Sequence, residues 1–124
     1  MNKQVLLVED NPPSIDIMER ELKVLGYEVT VAKNGIEAVE MAASQLPCLI
    51  VMDILMPKMD GLEATARIRS NPKTHAIPIL AATAKALPGD KEKCLTAGCD
   101  GYISKPFTYK ELGAAIDKLL RPQS

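Results

Sequence analysis

Tryptophan is absent, phenylalanine and histidine occur once each, and aromatic residues make up only 3% of the chain. A core must therefore pack on Val, Ile, Leu, Ala and Met, and no aromatic residues interleave with a basic stripe as a nucleic-acid surface would require. An excess of either charge is also missing: 15 Lys and Arg face 16 Asp and Glu, a formal net charge of −1, with the lysines dispersed. That leaves no electrostatic footprint for a phosphate backbone. Cysteine is sparse. Cys48, Cys94 and Cys99 form no CxxC pair, and the lone His75 has no histidine partner, so the paired ligand spacing of a zinc site is missing. An odd number of cysteines points to a reducing compartment. No apolar run approaches the ~20 residues needed to cross a bilayer, and Met1-Asn2-Lys3-Gln4 enters an apolar strand too short to be a signal peptide. The expectation is a cytoplasmic protein with neither nucleic acid nor membrane as partner.

What is present is a regular alternation. The 124 residues, 47% apolar and 25% charged, suit one domain over 1–124 that buries a core without metal or disulfides. Val5 to Val8 reads as a strand, and Asn11-Pro12-Pro13-Ser14 starts a helix to about Leu25 with Ile15, Met18, Leu22 and Leu25 on one face. Tyr27 to Ala32 alternates as a strand, and Asn34-Gly35 opens a helix carrying Ile36, Val39, Met41 and Ala42 up to Pro47. Leu49 to Asp53 follows, then a helix with Leu62, Ala66 and Ile68 as far as Ser70-Asn71-Pro72. Ile77 to Ala82 forms a strand with Thr83 at its carboxyl end, Pro88-Gly89-Asp90 opens a helix that Gly98 ends, Gly101 to Ser104 is a strand, and Thr108 caps a last helix to Leu120. Five strands alternating with five helices predict an α/β fold: a doubly wound, five-stranded parallel sheet.

The stretch Leu49-Ile50-Val51-Met52 has no alternation, as in a strand buried on both faces, and it ends on Asp53. In open α/β sheets the ligand crevice forms at the carboxyl ends of the strands. The polar residues predicted there are Glu9, Asp10, Asp53, Thr83 and Lys105, from every strand but the second. Three carboxylates in one crevice repel one another, and a hard divalent cation, magnesium beside phosphate, is the simplest neutraliser. Asp53 is then expected to be partly exposed and nucleophilic, with Lys105 screening a phosphoryl group and Thr83 donating to its oxygens.

Several segments carry a family pattern: Val8-Glu9-Asp10-Asn11, Met52-Asp53-Ile54-Leu55-Met56-Pro57-Lys58-Met59-Asp60-Gly61, Ala82-Thr83-Ala84, and Ala97-Gly98-Cys99-Asp100-Gly101-Tyr102-Ile103-Ser104-Lys105-Pro106. With 30 residues from Asp53 to Thr83 and 22 more to Lys105, the chain resembles a receiver domain of two-component response regulators over essentially its whole length. The resemblance implies a flavodoxin-like receiver fold and an Asp53 that takes a phosphoryl group from a histidine kinase or histidine phosphotransferase. It implies a magnesium site of Glu9, Asp10, Asp53 and the Leu55 main-chain carbonyl. Thr83 and Lys105 match phosphate-contacting positions, and Tyr102 the switch aromatic. Pro57, Gly61 and Pro106 match loop-shaping positions, Pro106 that of a proline after a cis bond, and Leu55 and Lys85 those that tune dephosphorylation. Glu9 departs from the commoner Asp. Pro88 and Gly89 constrain the start of the fourth helix, because Leu87 before proline is driven extended.

The expected function is a phosphorylation-controlled switch, not an enzyme beyond its own phosphorylation and dephosphorylation. Its 84–110 face would bind a partner, with no output domain before Ser124. Two alternatives stand beside it. An aspartate-nucleophile phosphatase of the haloacid-dehalogenase type wants a second acid two residues after Asp53, where Leu55 stands. A flavodoxin-like cofactor binder needs a phosphate loop after the first strand, where Glu9-Asp10 would repel it. His75, between Pro72 and Pro78, assembles no catalytic pair, and Cys94 and Cys99 read as small core residues.

Overall fold

A computed structural model describes residues 3–54, 61–83, 89–105 and 107–120 of the chain. Leu55, Pro57, Lys85, Leu87, Pro88 and Pro106 lie outside the described residues. Five strands, β1 (Gln4–Val8), β2 (Glu28–Ala32), β3 (Leu49–Asp53), β4 (Ile79–Thr83) and β5 (Gly101–Ser104), form one sheet in the order β2-β1-β3-β4-β5. Every pairing is parallel. The helices are α1 (Pro12–Val24), α2 (Gly35–Gln45), α3 (Gly61–Ser70), α4 (Asp90–Ala97) and α5 (Tyr109–Leu120).

The unbroken apolar runs become the strands closed in on both faces: β3 and β4 are buried at all five residues. Successive side chains point to opposite faces of a strand, so each run feeds two cores. Leu6, Val8, Ile50, Met52, Ile79 and Ala81 pack under α2, α3 and α4, and Val5, Leu7, Leu49, Val51, Leu80 and Ala82 under α1 and α5. Each fully buried aliphatic side chain stabilises the fold by about 1.5–3 kcal/mol.

Local chemistry sets the helix starts. Asn11 Oδ1 accepts from the Ser14 N–H at 3.1 Å, with proline filling the first positions of α1, and Asn34 Oδ1 accepts from the Glu37 N–H at 2.9 Å. Thr108 and Glu111 bond reciprocally at 3.1 and 2.8 Å, a capping box that opens α5.

Not every apolar helix residue is buried, and one strand boundary differs from expectation. Ile36 is 45% exposed, whereas Ala38 and Ala42 are buried. Ile36 stands two residues before Ala38, about 200° round the helix, and the small alanines let α2 approach the sheet closely. Ala66 is exposed for the same reason, because the buried stripe of α3 is Ala64, Thr65 and Ile68. On α1, Met18 and Leu22 are buried while Ile15 and Leu25 are half-buried. Strand β4 begins at Ile79 rather than Ile77. Pro78 has no N–H for the ladder and offers only its carbonyl, which accepts from Ile50 at 2.9 Å.

Candidate functional site

Parallel pairing brings four strand ends to one edge. Val8 pairs with Met52, Asp53 with Ala82 and Thr83 with Ser104, so Glu9, Asp53, Thr83 and Lys105 lie along the rim of the sheet. Two further main-chain bonds extend the ladders past the strands. Glu9 N–H donates to the Ala32 carbonyl and Lys105 N–H to the Thr83 carbonyl, both at 2.9 Å, which fixes where these two side chains begin.

The carboxylates converge. Glu9, Asp10 and Asp53 each place an oxygen within 4.8 Å of the others. Glu9 is 1% and Asp53 8% exposed, while Asp10 is open to solvent. Asp53 is thus more enclosed than its position at a strand end suggested, because β3 is central and the start of α3 closes over it. Gly61 N–H donates to the Ile54 carbonyl at 3.0 Å. A Cβ on Gly61 would stand 2.7 Å from both the Asp53 carbonyl oxygen and Ile54 Cα, so only glycine allows this approach.

Lys105 supplies the opposing charge. Its ammonium lies 2.5 Å from Glu9 Oε2 and 4.0 Å from Asp53 Oδ2. The other Glu9 oxygen accepts from the Asn11 N–H at 3.3 Å. Three carboxylates against one ammonium leave two negative charges, in a site where two of the acids are buried. The donors are all hard oxygens. Around an octahedral magnesium adjacent oxygens are about 3 Å apart and opposite ones about 4.2 Å, so wider spacings within the cluster must contract on binding, which the exposed Asp10 is free to do. The residues fit a magnesium-type cation.

Thr83 is buried at the end of β4, and Tyr102, opposite Ala81, is already half-buried against the core on the α4 side. His75 is exposed and stands apart from the rim, and Cys94 and Cys99 are buried free thiols. Burial pushes the Cys99 thiol up from its ordinary value, outweighing its contact with Thr65, so neither geometry nor ionisation favours a nucleophile there.

Two features of this site escaped sequence reasoning. One is the Lys105–Glu9 pair, for which the only signal was the longer arm of Glu9. The other is a cleft of about 180 Å³ beside Lys105, lined by Ser14, Ile17, Met18, Glu21 and Phe107. Burial pushes the Glu21 carboxyl above its ordinary range. Among the described residues no helix is long and apolar enough to cross a membrane.

Comparison with known proteins agrees with this geometry. The sequence model of the response regulator receiver domain matches residues 5–117. The polar-differentiation response regulator DivK of Brucella anthropi is 39% identical over 108 residues, covering 87% of this chain and 88% of that one. The receiver domain of the sensor histidine kinase PA1611 from Pseudomonas aeruginosa, which holds a magnesium ion in its active site cleft, is 42% identical. It superposes with a TM-score of 0.90 over 97% of this chain and 98% of that one. The Vibrio cholerae chemotaxis protein CheY4 is 28% identical with a TM-score of 0.89, over 96% and 99% of the two chains.

Proposed function

The chain belongs to the response-regulator receiver family, and from that membership we propose that Asp53 is the residue whose phosphorylation switches it. The observation that carries this reading is the position of Asp53: buried at the end of a central strand, its carboxylate oxygen clustered with those of Glu9 and Asp10, and 4.0 Å from the Lys105 ammonium. An Asp53 oxygen attacks the phosphorus of a phosphohistidine on a histidine kinase or histidine phosphotransferase. The O–P bond forms as the P–N bond breaks, and the bonding pair leaves on the imidazole nitrogen. Glu9, Asp10 and Asp53, with the Leu55 carbonyl that the family resemblance adds, would hold a magnesium ion, which when bound would supply charge neutralisation to the phosphoryl oxygens.

The chain's own residues do the rest. Glu9 and Asp10 hold the cation beside the acceptor. Lys105 turns from Glu9 toward the phosphoryl group, and the Thr83 hydroxyl donates to it, so charge that develops on the equatorial oxygens meets donors already in place. Tyr102 and the surface around 84–110 respond, and that surface binds the downstream partner. Leu55 and Lys85 set the lifetime of the phosphoryl group, and Pro57 and Pro106 shape the loops that hold it. The chain works as one domain, in the cytoplasm, catalysing only its own phosphorylation and dephosphorylation.

Intact-mass measurement with acetyl phosphate tests the reading. The parent should gain one phosphoryl group with magnesium and none with a chelator, and Asp53→Asn should gain none. The same gain in Asp53→Asn overturns the assignment.

A further inference from the structure

Arg69, in the last turn of α3, stands at the edge of the sheet opposite the carboxylates. Its Nε donates to the Gly98 carbonyl at 2.8 Å, Nη1 to the His75 and Ile77 carbonyls at 2.9 and 2.7 Å, and Nη2 to Asp100 Oδ2 at 2.6 Å. The same Asp100 oxygen accepts from the Ile79 N–H at 2.8 Å. One planar fork thus joins the end of α3, the loop into β4, the first residue of β4 and the turn that ends α4. A guanidinium has five donors in fixed geometry, and a lysine cannot reproduce this set.

Among the described residues the two ends of α4 are held differently. At its carboxyl end Gly98 takes φ of +117°, its N–H donates to Leu95 and the Cys99 N–H to Cys94, at 3.1 and 3.0 Å. This is a closed Schellman turn. Arg69 packs so tightly on it that a Cβ on Gly98 would lie 2.8 Å from Arg69 Cγ. Cys99 Sγ also approaches Thr65 Oγ1 of α3 to 3.7 Å. The opposite end begins at Gly89, with φ of +88° and no side-chain capping bond. Of residues 91–97 only Cys94 is buried. Gly89 stands six residues after Thr83 in the chain.

We propose that Arg69 is the fulcrum of the switch: it fixes the Gly98 end of α4 to α3 and β4, so that a change passed from Asp53 through Thr83 moves the Gly89 end. Were both ends free, the same change would dissipate as a shift of the whole helix. The inference rests on the phosphorylation of Asp53 proposed above. It adds a residue on the far edge of the sheet that positions the responding helix and never touches the phosphoryl group.

Residue-resolved amide exchange with and without magnesium and beryllofluoride, a phosphoryl mimic, is the test. In the parent, exchange at Lys93, whose N–H bonds to the Gly89 carbonyl at 3.0 Å, should change about tenfold on adding the mimic, with Gly98 and Cys99 nearly unaffected. In Arg69→Met, which keeps the stem and loses the fork, Gly98 and Cys99 should respond as strongly as Lys93, and Arg69→Lys should not restore the parent pattern. Should Arg69→Met fail to fold, Arg69→Lys carries the test, because one ammonium cannot hold all four acceptors, and it should show the same spread. Equal responses at Lys93 and Gly98 in the parent, or an unchanged gradient in a folded variant, overturn the fulcrum. A parent that neither responds to the mimic nor gains mass with acetyl phosphate overturns the Asp53 reading instead.

Discussion

Glu21 is a charged residue placed at a cost. One of its carboxylate oxygens is buried and finds no hydrogen-bond partner among the described residues, and burial raises its pKa above 4.5. The folded state therefore binds this proton more readily than the unfolded chain, so protonation favours folding. The benefit is complete below the unfolded value of 4.5 and is lost as pH rises through the higher folded value. Glu21→Gln removes the buried charge, so its urea midpoint at pH 7 should exceed the parent's, the gain vanishing below pH 4.5. A gain that persists at acid pH would show that charge is not the cause. The site residues are a contrast in legibility. Glu9, Asp53, Thr83 and Lys105 were readable because each follows or ends a strand whose boundary is marked in the sequence. The Lys105–Glu9 bond was not, because it joins residues 96 apart through two intervening strands. The Arg69 network escaped for the same reason: its Gly98 and Asp100 contacts are 29 and 31 residues away.

At the scale of elements, β3 and β4 were legible because an unbroken apolar run has only one stable setting, with helices on both faces. Helix phase was less so. In α2, alanine and isoleucine are both apolar, yet Ala38 and Ala42 are buried and Ile36 is exposed, so composition alone does not say which of them faces the sheet. The end of α2 carries a second local conflict. Leu46, 46% exposed, takes φ of +49°, a left-handed conformation at the position where helices prefer glycine, and Pro47 follows it. The Leu46 N–H still closes the helix on the Ala42 carbonyl at 3.0 Å, so the turn is kept despite the strain at Cβ. Leu46→Gly removes that strain but gives the unfolded chain more freedom, leaving a net stabilisation of about 0.5–1 kcal/mol. Urea unfolding decides it: loss of stability would mean that the leucine side chain contributes more by packing than its backbone costs.

For the whole molecule, stability and metal binding draw on the same four charges, and the structure separates the acids by sign of effect. Glu9 is 2% exposed in its side chain and bonded to Lys105, itself only 18% exposed. Removing the Glu9 charge takes away the carboxylate hydrogen-bonded to Lys105 and leaves Asp53, at 4.0 Å, as its nearest acid, so metal-free Glu9→Gln should be less stable than the parent by about 2 kcal/mol. Asp10 is exposed and adds negative charge to a cluster that Lys105 only partly balances, so Asp10→Asn should leave metal-free stability unchanged or raise it by about 0.5 kcal/mol. Repulsion therefore holds for Asp10, whereas pairing outweighs it for Glu9. Magnesium should stabilise the parent by about 2.7 kcal/mol at a concentration one hundred times its dissociation constant, because it binds the folded site alone. Each variant has lost an anionic ligand and should gain less at that same concentration. Urea titrations of the three proteins, in chelator and in magnesium, test all of this together: metal-free shifts of the same sign for Glu9→Gln and Asp10→Asn, or an undiminished magnesium gain in Asp10→Asn, would show that the four charges do not act as one site.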